Sequence, residues 1–273
     1  MSEVSTLGDV LLKVEEVSLR LGDVQVLDKV QFEVRDRIRV GACTGQIVGI
    51  LGPSGVGKTR LLRIIAALDA PDAGTVTGLK GVQVSAGHVG VVFQDYPLLR
   101  HRSVRLNLEI AGIANGMPRA EARQRASQLL EGFRLADRAS YYPAQLSGGQ
   151  RQRVAIAQQL VSPKTLLLMD EPFSGLDPAA LDEVMHLIVE VANMNELNTI
   201  LIVTHDIRAA MAVSDTLLML GRDRSPEGKI VSGARIQGCY DLVEKGLAWR
   251  AEVMELPAFA QLEKEIRGRF KQL

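Results

Sequence analysis

The stretch Gly52-Pro53-Ser54-Gly55-Val56-Gly57-Lys58-Thr59 has little side-chain bulk and closes on an ammonium and a hydroxyl. Glycines let the backbone turn its N–H groups inward, and a lysine adds a point charge, a combination that suits a phosphate chain. The spacing is G-x-x-x-x-G-K-[ST]. In such a loop the N–H groups of Ser54 to Thr59 cradle phosphates, Lys58 reaches the β and γ oxygens, and the Thr59 hydroxyl ligates Mg²⁺. Arg60, next in the chain, is counted with the loop. The plain alternative is a glycine-rich turn with a solvated lysine.

Three further polar groups end apolar runs. "HVGVVF" ends in Gln94, "TLLLM" in Asp170-Glu171 and "TILIVT" in His205-Asp206. Asp170 suits Mg²⁺, directly or through water. Glu171 points differently and can polarise an attacking water. His205 taken alone is a satisfied core histidine; at the same sheet edge it becomes a partner for the γ-phosphate and the water. "LSGGQ", Leu146 to Gln150, starts a helix that Ser147 caps. Its glycine pair leaves N–H groups and the positive dipole end open to an anion, although by itself it reads as an ordinary cap.

Such side chains need a scaffold that brings strand ends together. Four short Val/Ile/Leu-rich runs, "QIVGIL", "HVGVVF", "TLLLM" and "TILIVT", fit parallel strands covered on both faces. Helical stretches lie between them: "KTRLLRIIAAL", "AEARQRASQLLEGF", "QRQRVAIAQQLV" and "AALDEVMHLIVEVANM". The alternation predicts an α/β fold with a mostly parallel sheet, whose ligands sit beyond the carboxyl ends of the strands. Residues 10–34 alternate as an antiparallel hairpin about Gly22-Asp23. Asp95 to Gln145 holds no convincing strand and reads as an inserted helical sub-domain. Beyond Arg222 a hairpin about "SPEGK" precedes a helix from Pro257 with Phe259, Leu262, Ile266 and Phe270 on one face. That stripe either packs on its own domain or makes a regulatory or dimer contact.

Composition narrows the function classes. The 273 residues are 47% hydrophobic and 23% charged, with 32 basic and 32 acidic side chains, which predicts a packed core and argues against nucleic acid as a partner. The two cysteines, Cys43 and Cys239, form no CxxC pair or zinc spacing and read as reduced thiols. The acidic N-terminus is not a signal peptide, and no window reaches the roughly 20 apolar residues of a membrane span. Work at a membrane would therefore need another chain to supply the span.

Together these residues resemble the ATP-binding cassette family. "GPSGVGKT" resembles the Walker A loop, "VVFQDY" the Q-loop strand and "LSGGQ" the signature. "LLLMDEP" resembles the Walker B strand with its catalytic glutamate, "SGLD" the D-loop and "VTHD" the switch histidine. Order and spacing match from about Val10 to Gly221. The resemblance implies a P-loop NTPase core with an antiparallel β sub-domain and a helical sub-domain at about 95–161. It places the nucleotide-binding domain at 1–221 and a hairpin-and-helix extension at 222–273. It implies ATP and Mg²⁺ as cofactors, with Glu171, His205 and Lys58 catalytic and Thr59, Gln94 and Asp170 at the metal. Family members form head-to-tail dimers, so Ser147, Gly148, Gly149 and Gln150 would act on the partner's nucleotide, and Asp177 would cross the interface.

Two departures stand out. The family's usual adenine-stacking aromatic is replaced by Leu21, which lacks a π face. The crossing "RDRIRVGACTGQ", Arg35 to Gln46, is longer than usual and reads as an extra loop, either surface or reaching toward nucleotide or partner. The resemblance further implies an ATPase on the inner face of a membrane, held by separate permease subunits and, for an importer, working with a solute-binding protein. Arg100, His101, Arg102 and Arg105 form either a solvated helix start or the permease docking surface. The stretch Gln94 to Asn107 looks similar to importer ATPases of the nitrate, sulfonate and taurine group. The alternative is a soluble family member acting as an assembly scaffold, as in iron–sulfur cluster biogenesis.

Overall fold

Two long antiparallel strands, β1 (Ser5–Leu21) and β2 (Val24–Arg39), meet at the Gly22-Asp23 turn, where Gly22 takes a φ of 59°. They belong to a computed structural model that describes residues 5–39, 45–87, 89–162, 164, 166–194, 199–250 and 252–273. The hairpin is longer than its alternation predicts. Arg35 to Arg39, expected in a loop, extend β2 against β1, with Arg35 opposite Val10 and Arg37 opposite Leu7. Arg37 suits a strand because Asp241 pairs with its buried guanidinium, and Arg35 pairs with Glu33 on the same strand. The middle of the proposed loop, 40–44, lies outside the described residues.

β3 (Gln46–Leu51) leads through the glycine loop into α1 (Lys58–Ile65), and β4 (Ala73–Gly78) pairs antiparallel with β1. β5 (Gly90–Val92) precedes the helices α2 (Val104–Ala114), α3 (Arg119–Gly132) and α4 (Gly148–Gln159). β6 (Leu166–Asp170), α5 (Pro178–Ala192), β7 (Thr199–Thr204) and α6 (Ile207–Val213) follow. β8 (Thr216–Arg224), β9 (Ile230–Asp241) and α7 (Pro257–Phe270) complete the order.

Among the described residues nine strands form one sheet, ordered β4-β1-β2-β9-β8-β3-β7-β6-β5. The four apolar runs become neighbours, β3-β7-β6-β5, parallel throughout. β8 joins them parallel to β3, and β9 turns back antiparallel to bridge toward β2. β3, β6 and β7 are buried along their whole length, as strands covered on both faces must be. The fold is therefore an α/β P-loop NTPase with an antiparallel β portion and an inserted helical portion.

Helix α1 shows what fixes the glycine loop. Eight residues are too few for a helix stable in isolation. Leu61, Leu62 and Ile65 are fully buried between the β1–β2 hairpin and the parallel strands, each worth roughly 1.5–3 kcal/mol. Burial, not helix propensity, therefore holds the loop's downstream end. A second core lies under α2 to α5, and a third gathers Phe259, Leu262 and Ile266 of α7 against α6 and β8. The apolar stripe of α7 thus packs on its own domain.

Candidate active site

The parallel strands deliver their terminal groups to one edge. Lys58 Nζ donates to the carbonyls of Gly52 (2.8 Å) and Pro53 (3.2 Å) and lies 3.2 Å from Glu171 Oε1. The Thr59 hydroxyl donates to Asp170 Oδ1 at 3.2 Å. Glu171 Oε2 accepts from the Thr204 hydroxyl (2.9 Å), the His205 backbone N–H (3.3 Å) and His205 Nδ1 (2.9 Å). That bond places the proton on Nδ1 and leaves Nε2 as the ring's remaining group. Glu171 sits at φ 48°, a left-handed conformation that side chains other than glycine rarely adopt. Its N–H donates to Val203 of β7 and its carbonyl accepts from Ser174, so the strained residue is pinned on both sides.

The two neighbouring carboxyls differ in acidity. Burial raises Asp170, with the Glu171 charge adding and the Thr59 hydroxyl and Lys58 opposing. Burial also pushes Glu171 upward, but the His205 hydrogen bond, the Lys58 charge and the Thr204 hydroxyl outweigh it and bring the group below its ordinary value.

Residues of the loop fit a phosphate chain. Gly57 precedes α1 at φ 118° with no side-chain cap, and the first turn of α1 carries no acidic residue. A Cβ on Gly52 would stand 2.6 Å from the Leu220 carbonyl, and one on Gly57 would meet Leu27 and Val26 at 3.0 and 3.1 Å. Only glycine lets the loop sit this close to β8 and the hairpin. Ser54 and Gly55 are exposed, whereas Val56 is buried beneath the loop. Mg²⁺ fits as well. Thr59 and Asp170 offer two hard oxygen donors, and among the described residues no group of three His, Cys, Asp or Glu builds a closed cage. A site with few protein ligands suits Mg²⁺, which keeps waters and takes phosphate oxygens.

Other expected residues lie at the margin or elsewhere. Gln94 is exposed and reaches the Ser174 hydroxyl at 3.4 Å. Arg60 pairs with Asp69 rather than turning into the loop. Ser147, Gly148, Gly149, Gln150 and Asp177 line a separate cleft of about 480 Å³ with Arg134 and Arg153. There Ser147 Oγ accepts from the Gln150 N–H (3.3 Å), and Gln150 Oε1 accepts from the Ser147 N–H (3.0 Å), a reciprocal cap of α4. An added Cβ on Gly148 or Gly149 would meet nothing within 4 Å. Asp177 caps α5 through the Ala180 N–H at 3.0 Å.

Two side chains that spacing did not single out organise these regions. Gln152, wholly buried in α4, donates to the Pro172 carbonyl at 2.9 Å and ties the signature helix to the residue after Glu171. Asn107, also wholly buried, accepts from Leu99 N–H and donates to the carbonyls of Leu99, Arg102 and Ser103. It thereby shapes the basic stretch that carries Arg100, His101 and Arg102, while Arg105 pairs with the buried Glu109 at 3.3 Å. A polar side chain buried inside a helix was the available signal in both cases.

The comparisons agree with this geometry. The family model described as ABC transporter matches residues 36–174. The chain belongs to the ABC transporter family. It is 39% identical over 220 residues to the spermidine/putrescine import ATP-binding protein PotA of Pseudomonas aeruginosa, covering 78% of this chain and 58% of that one. It is 34% identical over 265 residues to the sulfate/thiosulfate import ATP-binding protein CysA of Gloeobacter violaceus, covering 93% of this chain and 73% of that one. Among solved structures, the dimeric, post-hydrolysis ATP-binding cassette MJ0796 bound to ADP and Pi superposes with a TM-score of 0.68 at 27% identity, covering 85% of this chain and 99% of that one. The chain thus spans about three-fifths of the length of the polyamine protein. The relatives named here are import ATP-binding proteins for polyamines and for sulfate, and they do not single out the nitrate, sulfonate and taurine group. Among the described residues of this cassette no helix is long and apolar enough to cross a membrane.

Proposed function

We propose that this cassette binds and hydrolyses ATP as a head-to-tail dimer and drives import of a small polar solute through separate membrane subunits. One observation carries the reading. A single chain joins Thr59 to Asp170 and both Lys58 and His205 to the adjacent Glu171, while Ser147 to Gln150 and Asp177 line a different, open cleft. Two copies facing head to tail would set the open cleft of each over the glycine loop of the other. The cassette MJ0796, dimeric with bound ADP and Pi, supports a dimer of such cassettes.

In this reading the backbone N–H groups from Ser54 to Thr59 hold the phosphates, and Lys58 leaves the Gly52 and Pro53 carbonyls for phosphate oxygens. Thr59, Asp170 and Gln94 would hold Mg²⁺, which when bound neutralises charge between the phosphates. Glu171, kept ionised by its neighbours, orients the attacking water and accepts its proton, and His205 presents Nε2 toward the transferred phosphate. The partner's Ser147 to Gln150 segment and helix dipole add stabilisation of the developing charge.

The polyamine and sulfate proteins are named for solutes of opposite charge. That is the pattern expected where other subunits choose the solute, with the cassette a peripheral motor on the inner face of the membrane. The Asn107-organised stretch around Arg100 to Arg105 is the proposed docking surface. The test is the mass of the Glu171→Gln variant by analytical ultracentrifugation. With excess ATP and Mg²⁺ it should double. A persistent monomer, even with its membrane partner supplied, overturns the reading.

A further inference from the structure

The glycine loop is gripped from outside by a residue 167 positions away. Arg222, near the end of β8, donates from Nη2 to the Gly55 carbonyl at 2.9 Å. The approach is close because Leu220, two residues earlier, lies against Gly52. Lys58 holds the loop's first two carbonyls from within, those of Gly52 and Pro53. Arg222 holds the carbonyl at the crown.

Gly55 needs such a grip. It is exposed, its φ is 76°, and an added Cβ would touch nothing within 4 Å, so no packing fixes its orientation. A glycine peptide in open space rotates at little cost. The Gly55 carbonyl and the Val56 N–H share one peptide plane, and the Val56 N–H is directed to Pro53 at 3.3 Å. Arg222 on the carbonyl side and the Pro53 carbonyl on the N–H side therefore hold this plane between them, and with it the turn that leads to the N–H groups at the start of α1. Arg222 is itself well anchored. Its backbone N–H donates to Leu273 (3.4 Å), and Arg224 donates from Nε to the Gln272 carbonyl at 3.2 Å, pinning the end of β8 beneath the α7 terminus. Arg222 Nε is buried and finds no acceptor among the described residues, a cost the fold carries to keep the guanidinium here.

We propose that Arg222 is a positioning residue for nucleotide binding, fixing the Gly55–Val56 peptide so that the loop is pre-formed for phosphate. The inference rests on the ATP reading of this loop. Pre-organisation acts on binding more than on the chemical step, so its loss should appear in KM. Arg222→Met keeps the aliphatic length and removes the charge and donors, whereas Arg222→Lys keeps one donating cation. Steady-state hydrolysis by Arg222→Met should show KM for ATP raised about tenfold, the loss expected for one charge-assisted hydrogen bond, with kcat within about twofold. Arg222→Lys should recover most of that loss, and the melting temperatures of the two variants should agree. A KM unchanged in Arg222→Met, or equal KM values in the two variants, overturns the proposal. Lys58→Ala run alongside separates the two claims: if it too binds ATP like the parent chain, the nucleotide reading itself fails, whereas loss in Lys58→Ala alone sinks only the role of Arg222.

Discussion

The Lys58 region and the Ser147 region of this chain treat their polar groups in opposite ways. Around Lys58, polar groups of the same chain face each other: the lysine against Glu171, the Thr59 hydroxyl against Asp170, and His205 against Glu171. Around Ser147 the cap is closed by Gln150, but the glycines after it face open space. The first region is complementary to itself, whereas the second leaves its groups open, as the proposed dimer requires. Gln152 joins them, since its helix begins at the signature and its side chain holds Pro172 beside Glu171. A force on that helix would thus have a direct route to the strained turn that carries Glu171, the proposed base.

The largest effect should come from the self-complementary region. Glu171→Gln keeps the hydrogen bonds from Thr204 and His205 in reach but removes the base. Phosphate release should fall roughly 10²- to 10⁴-fold, while ATP binding by titration stays near that of the parent chain. Hydrolysis close to normal would remove Glu171 from its role. Next comes a mixing test of the contrast itself. Lys58→Ala and Ser147→Phe should each be nearly inactive alone. In a head-to-tail dimer their mixture rebuilds one intact site in each mixed pair, so random association restores about a quarter of the parent rate. If loop and signature served the same chain's nucleotide, mixing would restore nothing.

Much of the self-complementary region was readable before any coordinates. The four apolar runs ending in the glycine loop, Gln94, Asp170-Glu171 and His205 become adjacent parallel strands because strands buried on both faces write themselves as unbroken Val/Ile/Leu runs. What escaped has physical reasons. β4 was not anticipated, because in "AGTVTG" only Val76 is buried and the strand is defined by its pairing with β1. β8 was read only at its end, through the hairpin about "SPEGK" that it forms with β9; its start follows the short α6 after only Ser214 and Asp215, with no turn sequence to announce it. Arg35 to Arg39 looked like a charged loop, since the partner that makes Arg37 a buried strand residue is Asp241, 204 positions on. The open cleft was legible only as motifs. That Asp177 and Ser147 line one surface depends on how α4 and α5 pack.

A smaller effect separates the two acids of the first region. Asp170 holds its proton more tightly in the folded chain than in the unfolded one, because of burial. Its ionisation therefore costs stability as pH rises above the ordinary value of 3.8. Glu171 is shifted the other way, so it contributes stability above its ordinary value of 4.5 that is lost as pH falls through its folded value. In metal-free buffer near neutral pH, Asp170→Asn should melt about 2 °C higher than the parent chain and Glu171→Gln about 2 °C lower. Both differences should shrink toward pH 3 in calorimetry. Equal shifts of one sign would show that the two carboxyls do not differ as their surroundings require.

The smallest expected effect lies where neither region closes the site. Leu21 stands at the tip of the β1–β2 hairpin opposite Val24, and both are exposed, 46% and 55%. Val26, farther along the same strand, approaches Gly57 of the loop. In the proposed dimer this aliphatic tip is what an adenine would meet. Leucine covers a base by apolar contact but offers no π face and no polar group to tell one purine from another. ATP and GTP should therefore support hydrolysis with KM values within about threefold of each other, since stacking that is absent cannot discriminate. Leu21→Tyr adds an aromatic face worth about 0.5–1.5 kcal/mol beyond its area, so KM for ATP should fall two- to tenfold. A tyrosine variant with unchanged KM, or a parent chain that already rejects GTP strongly, would place the base away from the hairpin tip, against some other surface of the dimer.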